Sequence, residues 1–108
     1  MHVAIRRYQT DPASVDEITR QVNEGFIPII KDVDGFLAYY VVNAGAGEIA
    51  TVSVFEDQAG AEQSIRTAAD WIRQNLAALL PNPPEITAGE VVTNELNLTK
   101  LGISKVRK

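Results

Sequence analysis

The chain has 108 residues, which is enough for one domain and too few for two. It contains no cysteine, so a disulfide framework, a thiolate nucleophile and a cysteine-ligated zinc site are excluded. No apolar run is long enough to cross a membrane, and the N-terminus lacks the apolar segment of a signal peptide. We therefore expect a cytoplasmic protein that does not insert into a membrane.

The net charge of −4 conceals an uneven distribution of charge along the chain. Every acidic residue lies between Asp11 and Glu95. Four basic residues follow them: Lys100, Lys105, Arg107 and Lys108. An acidic body argues against nucleic acid as a partner, because phosphates need a basic face. We expect a domain over residues 1–96 and a basic tail over residues 97–108, either solvated or docked on an acidic face of a dimer or partner.

The first third of the chain predicts a strand followed by a broken helix. The strand runs from His2 to Gln9, and Pro12 lies just beyond its end. Apolar residues then recur at three- and four-residue spacing from Val15 to Val33, which is typical of a helix with one buried face. Gly25 and Pro28 interrupt this pattern, so we expect the helix to kink or split there.

The rest of the chain predicts a hairpin, a second helix and a last strand. Two segments rich in β-branched and aromatic residues, Phe36–Val42 and Ile49–Phe55, flank a glycine-containing turn at Asn43–Gly47. The second helix begins near Glu56, and Asn82 and the two prolines after it are expected to end it. The last strand is predicted from Ile86 to about Leu96.

The order β-α-β-β-α-β is typical of ferredoxin-like α+β folds. The handedness of crossover connections leaves few topologies open. We expect a four-stranded antiparallel sheet with strand order 4-1-3-2 and both helices on one face.

Both faces of the predicted sheet are largely apolar. In the second strand a period of two puts Phe36, Ala38, Tyr40 and Val42 on one face, and Leu37, Tyr39 and Val41 on the other. An exposed apolar face of this size is typical of an interface, so the pattern favours a symmetric homodimer packed sheet to sheet. The alternative is that threonine and serine residues make the open face polar enough for water.

Three segments carry a resemblance to a known family. They are Asp34–Val42, the pair Asp70 and Trp71 on the second helix, and Gly89–Val92 in the last strand. Together with the element order and the broken first helix, they resemble the dimeric α+β barrel superfamily, and within it the antibiotic biosynthesis monooxygenase-like branch. The resemblance covers about residues 1 to 95.

This resemblance implies a homodimer whose two sheets close a barrel, with a pocket between sheet and helices in each subunit. Some members of the family oxidise aromatic polyketides with molecular oxygen and without a metal or flavin, and others degrade haem. The haem-degrading members need a histidine where this chain has Pro81, and an asparagine in the first strand, which here contains Arg6 and Arg7. We therefore expect no haem and no other cofactor.

Four residues are candidates for binding an aromatic substrate: Trp71, Arg6, Tyr8 and Tyr40. By the resemblance, Trp71 lines the pocket; by its spacing alone, it is a packing residue at the edge of the core. Arg6 has the donors to hold a phenolate or carboxylate, and it is also expected to pair with Glu90 on the neighbouring strand. Either tyrosine could hydrogen-bond a substrate hydroxyl.

The sequence contains no recognisable catalytic constellation. The glycines at 45 and 47 join two strands and so do not form a phosphate-binding loop, and no histidine and carboxylate cluster has metal-ligand spacing. No catalytic base is identified. Three interpretations stay open: a cofactor-independent monooxygenase acting on an aromatic molecule, a dimeric binding or accessory module without turnover, and a dimer whose pocket is filled by its own side chains.

Overall fold

The computed structural model describes residues 1–103, which form a four-stranded antiparallel sheet with helices packed on one face. The strands are β1 (His2–Gln9), β2 (Phe36–Gly45), β3 (Glu48–Phe55) and β4 (Glu85–Glu90). Their order across the sheet is β2-β3-β1-β4, and every neighbouring pair is antiparallel. The predicted ferredoxin-like α+β fold and strand order are confirmed. Three basic residues of the predicted tail, Lys105, Arg107 and Lys108, lie outside the described residues.

The first helical region is broken, as predicted. A 3₁₀ turn at Pro12–Ser14, capped by the Asp11 carboxylate, leads into α1 (Val15–Gln21). A π-helical segment, Val22–Phe26, then replaces the α-helical pattern before α2 (Ile27–Ile30) begins. Proline cannot donate to a preceding carbonyl, and Pro28 lies in the first turn of α2, where that missing donor is tolerated.

The hairpin turn is tighter than predicted. β2 continues to Gly45 and β3 begins at Glu48, so only Ala46 and Gly47 connect the strands. Gly45, Ala46 and Gly47 all have positive φ, which suits a short turn between twisted strands. Gly47 also lies against the backbone just after β1, because its peptide oxygen accepts a 2.9 Å hydrogen bond from the Thr10 amide.

A β-bulge near the start of β2 moves Phe36 to the helix side of the sheet. Phe36 lies opposite Phe55 and Ala38 opposite Val54, so Leu37 has no partner on β3. The rings of Phe36 and Phe55 touch edge to face, with centroids 5.8 Å apart. The prediction that Phe36 shares a face with Ala38 was wrong, because the extra residue reverses the alternation at this point.

The second long helix, α3, spans Gln58–Asn75 and covers the sheet. The Asp57 carboxylate caps it by accepting a 3.0 Å hydrogen bond from the Gly60 amide. The helix ends at Asn75, well before the predicted stop at Asn82, and short turns follow it. The core lies between the helices and the sheet, and its most buried apolar residues include Ile18, Phe26, Ile30, Ile49, Phe55, Ala68 and Leu76.

β4 ends at Glu90 instead of continuing to about Leu96. Its neighbour in the sheet is β1, whose first residue, His2, lies opposite Glu90. The Val91 amide still donates to the Met1 oxygen at 2.9 Å, but beyond that point β1 offers no further partner. β4 therefore ends at Glu90, where its pairing with β1 ends.

The sheet face away from the helices, here called the open face, is largely apolar. Its apolar residues are Val3, Ile5, Ala38, Tyr40, Val42, Ala50, Val52 and Val54, and Arg7, Glu85 and Thr87 add polar groups at the β1–β4 side. Within residues 1–103, no helix combines the length and the hydropathy that crossing a membrane requires.

Candidate functional site

Arg6 lies in the middle of β1 and points to the helix side of the sheet. It is 2% exposed, and its Nε and Nη1 atoms have no hydrogen-bond partner within the described structure. None of the ion pairs found among residues 1–103 includes Arg6. A guanidinium keeps its charge at any ordinary pH, so the interior of this domain contains an uncompensated positive charge.

The predicted pairing of Arg6 with Glu90 is wrong. The register of β1 and β4 places Arg6 opposite Ile86, whereas Glu90 lies opposite His2 at the far end of the strand. Glu90 itself is exposed. The carboxylate is therefore on the expected neighbouring strand but several residues away along it.

Two buried tyrosines accompany Arg6. Tyr8 follows it on the same face of β1, and Tyr39 projects to the helix side from β2. Burial raises the pKa of Tyr39 to about 12, and the neighbouring Arg6 guanidinium offsets only part of that rise. Burial also raises the pKa of Tyr8, again against a smaller opposing effect of Arg6. Both hydroxyls stay protonated at neutral pH and can donate a hydrogen bond.

Trp71 projects from α3 into an aromatic cluster beside these residues. Its ring centroid lies 5.4 Å from that of Phe26, and the Phe26 centroid lies 5.6 Å from that of Tyr39. The indole also lies close to Gly25 in the π-helical segment, where an added Cβ would be 3.0 Å from Cζ2 of Trp71. The missing side chain at Gly25 thus leaves room for the tryptophan ring.

Tyr40 is not part of this group. It lies on the open face, opposite Val52 of β3, and is 58% exposed. Arg6, Tyr8 and Trp71 are brought together on the helix side, and Tyr39 occupies the place that the sequence assigned to Tyr40. The two tyrosines are adjacent and alternate across the sheet, so only one of them can face the helices.

The candidate residues surround a small inner cavity between sheet and helices. Arg6, Tyr8, Tyr39 and Trp71 line it together with apolar side chains of α1, α3 and the π-helical segment. Its volume of about 20 Å³ is that of a single water molecule. The cavity is too small for an aromatic ligand unless a neighbouring side chain moves.

A larger groove lies on the other side of Arg6, between α3, β4 and the turn at residues 81–84. This outer groove has a volume of about 470 Å³, which is the size of a small-molecule site. Arg6, Tyr8, Ile72 and Leu80 line both the inner cavity and the outer groove. The two spaces therefore adjoin, and the buried Arg6 side chain lies in the wall between them.

The side chains that line these two spaces offer hydrogen-bond donors but no general base. Their lining residues, all within the described part of the chain, include arginine, tyrosine, threonine and asparagine but no carboxylate and no imidazole. No group of histidines and carboxylates suited to a metal ion occurs among residues 1–103. The arrangement can hold a planar molecule, stabilise negative charge and donate hydrogen bonds.

Sequence reasoning missed Tyr39, Phe26 and Gly25 as parts of the site. Tyr39 lies next to the candidate that was chosen, and both faces of β2 are apolar, so the pattern does not say which face meets the helices. Gly25 was identified as a helix break. Its contact with Trp71, the only tryptophan of the chain, depends on how α3 packs against the π-helical segment, and no local sequence pattern marks that contact.

The fold and the site define a ferredoxin-like α+β protein with an aromatic-walled interior pocket and an arginine at its centre. The family described as antibiotic biosynthesis monooxygenase matches residues 1–69, and the chain belongs to this family. No curated protein matches the chain in sequence.

Solved structures with the same fold come from several organisms. A monooxygenase from the gene ActVA-Orf6 of Streptomyces coelicolor, solved with the ligand nanaomycin D, is 20% identical, with a TM-score of 0.70 over 88% of this chain and 90% of that one. A protein of unknown function from Nitrosomonas europaea is 21% identical, with a TM-score of 0.69 over 88% and 92%. A Mycobacterium tuberculosis protein is 16% identical, with a TM-score of 0.65 over 86% and 96%. At these identities the likeness concerns the fold alone.

Proposed function

We propose that this protein is a cofactor-independent monooxygenase that acts on an electron-rich aromatic molecule, such as a hydroxyanthrone or a quinol. The observation that carries the proposal is the buried Arg6 guanidinium, which has no partner for Nε or Nη1 and lies in an aromatic-walled pocket. Family membership supports it. The Streptomyces coelicolor monooxygenase with the same fold was solved in complex with the ligand nanaomycin D.

In this proposal each site residue has a distinct role. The substrate extends from the outer groove into the inner cavity, which a neighbouring side chain widens by moving, and there Trp71 stacks on it. Tyr8, which lines both spaces, donates a hydrogen bond to one of the substrate's oxygens. Arg6 stabilises the phenolate or carbanion that forms when the substrate loses a proton, and it does so in a pocket with little water. The substrate itself supplies electrons to oxygen. For an anthrone, the ring CH₂ carbon gains one atom of O₂ and becomes a carbonyl, and the other oxygen atom leaves as water with the two hydrogens.

We also propose that the protein works as a homodimer that buries the open face. Tyr40 and Val42 are exposed on that face in a single chain, and the half-buried Val52 and Val54 lie beside them. Leaving this surface in water forgoes about 25 cal/mol for each Å² of apolar area. A second copy packed sheet to sheet covers it, and Tyr40 then serves the interface instead of the pocket. The predicted cytoplasmic location and the role of the basic tail stay predictions.

Oxygen consumption tests the proposed activity. An oxygen electrode is used to measure uptake with a hydroxyanthrone and a quinol for the unmutated protein, Trp71→Phe and Arg6→Ala, with Tyr40→Phe as the matched control. We expect uptake above the rate without protein, a loss of about 100-fold in Arg6→Ala, and an unchanged rate in Tyr40→Phe. Uptake that is absent, or equal in all four proteins, contradicts the proposal.

A second candidate function is a binding or accessory module without turnover. The observation that favours it is the absence of a carboxylate or imidazole among the described lining residues, since oxidation requires a proton to be removed. Native mass spectrometry distinguishes the two functions. A bound small molecule that stays unchanged in air points to the binding module, whereas one that is consumed in air points to the oxygenase.

A further inference from the structure

Arg6 is the one charged residue in the buried set of the described chain; the other polar members are Thr51, Ser53 and Ser64. All acidic side chains of the chain lie within residues 11–95, and none forms an ion pair with Arg6. A buried charge without a partner is strongly unfavourable, and arginine cannot relieve the penalty by losing a proton. Such a charge is tolerated where a ligand supplies the missing anion.

The space beside Arg6 indicates where that ligand lies. The inner cavity, at about 20 Å³, has no room for more than a water-sized group. The outer groove, at about 470 Å³, is lined by Arg6 and Tyr8 and by mostly apolar side chains of α3, β4 and the proline-containing turn. A flat molecule in this groove would place one end against the guanidinium and the rest between Ile72 and Ile86.

The second arginine of the groove differs from the first. Arg73 is exposed at the rim and forms a 3.0 Å ion pair with Asp70 on the same helix. Its charge is therefore compensated and open to water, where ion pairs contribute little. Arg6 alone carries an uncompensated charge into the site.

We infer that the outer groove binds an aromatic molecule that is ionised when it binds, with a carboxylate or phenolate oxygen against Arg6. The aromatic character of the ligand rests on the proposed function above, and its negative charge rests on Arg6. The planar fork of the guanidinium can donate two parallel hydrogen bonds to a carboxylate or two converging ones to a phenolate oxygen, and the protonated Tyr8 hydroxyl can add a third. A neutral isostere leaves the buried charge unpaired and binds weakly.

Isothermal titration calorimetry with a matched pair of probes tests this inference. The probes are 2-naphthoate and its neutral analogue 2-naphthamide, and 4-nitrophenol above and below its own pKa distinguishes a phenolate from a carboxylate. The proteins are the unmutated chain, Arg6→Met, Arg6→Lys and Arg66→Met. Arg66→Met is the control, because it removes the same charge from an exposed position on α3.

We expect the unmutated protein to bind naphthoate at least about tenfold more tightly than naphthamide. Arg6→Met should lose about 100-fold or more in naphthoate affinity with little change for naphthamide. Arg6→Lys should retain part of the affinity, because it keeps the charge but not the fork, and Arg66→Met should match the unmutated protein. If 4-nitrophenol alone shows ionisation-dependent binding, the oxyanion is a phenolate.

Two results overturn the inference. The first is binding of naphthoate or 4-nitrophenolate that survives Arg6→Met. The second is the absence of ionisation-dependent binding at millimolar concentration, that is, equal binding of naphthoate and naphthamide together with 4-nitrophenol binding that is the same above and below its pKa. The comparison of ligands on the unmutated protein does not depend on the folding of any variant. The proposed function can fail separately. Arg6-dependent anion binding without oxygen uptake contradicts the oxygenase alone, whereas Arg6-dependent oxygen uptake without any preference for the ionised probes contradicts the charge requirement alone.

Discussion

The indole ring of Trp71 rests on the backbone of Gly25, which lies on the π-helical segment between α1 and α2. A Cβ added at Gly25 would be 3.0 Å from Cζ2 and 3.5 Å from both Cε2 and Nε1 of the indole. Phe26, the next residue, also packs against the ring, with centroids 5.4 Å apart. The position of Trp71, which α3 contributes to the pocket wall, thus depends on a glycine in the π-helical segment.

Gly25→Ala should therefore displace the tryptophan. In an ordinary helix, Gly→Ala raises the unfolding free energy by about 1 kcal/mol. Here we expect the opposite, an unfolding free energy lowered by roughly 1 to 2 kcal/mol, because the new methyl group displaces the indole. Trp71 is the only tryptophan in the chain, and its emission spectrum should shift in the same variant. Urea unfolding and fluorescence measure the two effects.

The control for this prediction is the same change in a Trp71→Phe background. The smaller ring lacks the atom that the new methyl group meets, so Gly25→Ala should there be neutral or stabilising. Equal effects in both backgrounds would show that the glycine acts independently of the tryptophan.

The two glycines of the hairpin turn should respond differently to alanine. At Gly47 a Cβ would be 2.0 Å from the Thr10 carbonyl oxygen, whereas at Gly45 it would have nothing within 4 Å. Both have positive φ, so both substitutions carry backbone strain of about 1 kcal/mol. Gly47→Ala should lower the unfolding free energy by a further 2 kcal/mol or so, because a backbone atom must move. Thermal or urea unfolding that ranks the two variants equally would contradict the close approach of the turn to β1.

A charge on the open face should dissociate the proposed homodimer. Val52 lies at the centre of that face, between Ile5 and Tyr40 on the neighbouring strands. Val52→Glu should weaken self-association by about 3 kcal/mol, or more than 100-fold, because the carboxylate would be buried without a partner. Ile29→Glu is the matched control, since Ile29 is 43% exposed on α2. Sedimentation velocity should show dimers for the unmutated and control proteins and monomers for Val52→Glu; an unmutated protein that is monomeric at micromolar concentration rules out the dimer.

The buried tyrosines should make stability fall in alkaline solution. The pKa of Tyr39 is about 12 in the folded protein, against a usual value of 10.0. Below pH 10 both states keep the proton, and between pH 10 and pH 12 only the unfolded chain releases it, so unfolding becomes more favourable as pH rises. Between pH 9 and pH 11 the unmutated protein should lose about 1 kcal/mol more than Tyr39→Phe. An identical pH dependence in the two proteins would contradict the raised pKa.

Much of the fold could be predicted because it is encoded locally. The alternation from His2 to Gln9, the proline that follows it and the glycine-containing hairpin indicated the strands. The handedness of crossovers then left few topologies, among which the observed strand order was chosen. The end of β4 could not be predicted in this way. It depends on where β1 begins across the sheet, and residues 91–96 have a composition that would suit a longer strand.

The site was only partly predictable, for reasons of register. Arg6 and Tyr8 were placed on one face of β1 by the period of two. That Arg6 meets Ile86 instead of Glu90 depends on how far β4 slides along β1, which the sequence of neither strand specifies. The bulge at Leu37 and the apolar character of both faces likewise hid the choice between Tyr39 and Tyr40.

The stability of Arg6→Met in the absence of any ligand tests the central claim most directly, because that claim assigns Arg6 to binding and not to folding. Methionine has a similar length and removes the buried charge. Urea unfolding should therefore show an unfolding free energy that rises by about 1 kcal/mol or more, with an unchanged denaturant slope. A fall of about 3 kcal/mol would mean that the guanidinium is satisfied within the folded protein, and it would contradict the assignment of this arginine to a ligand.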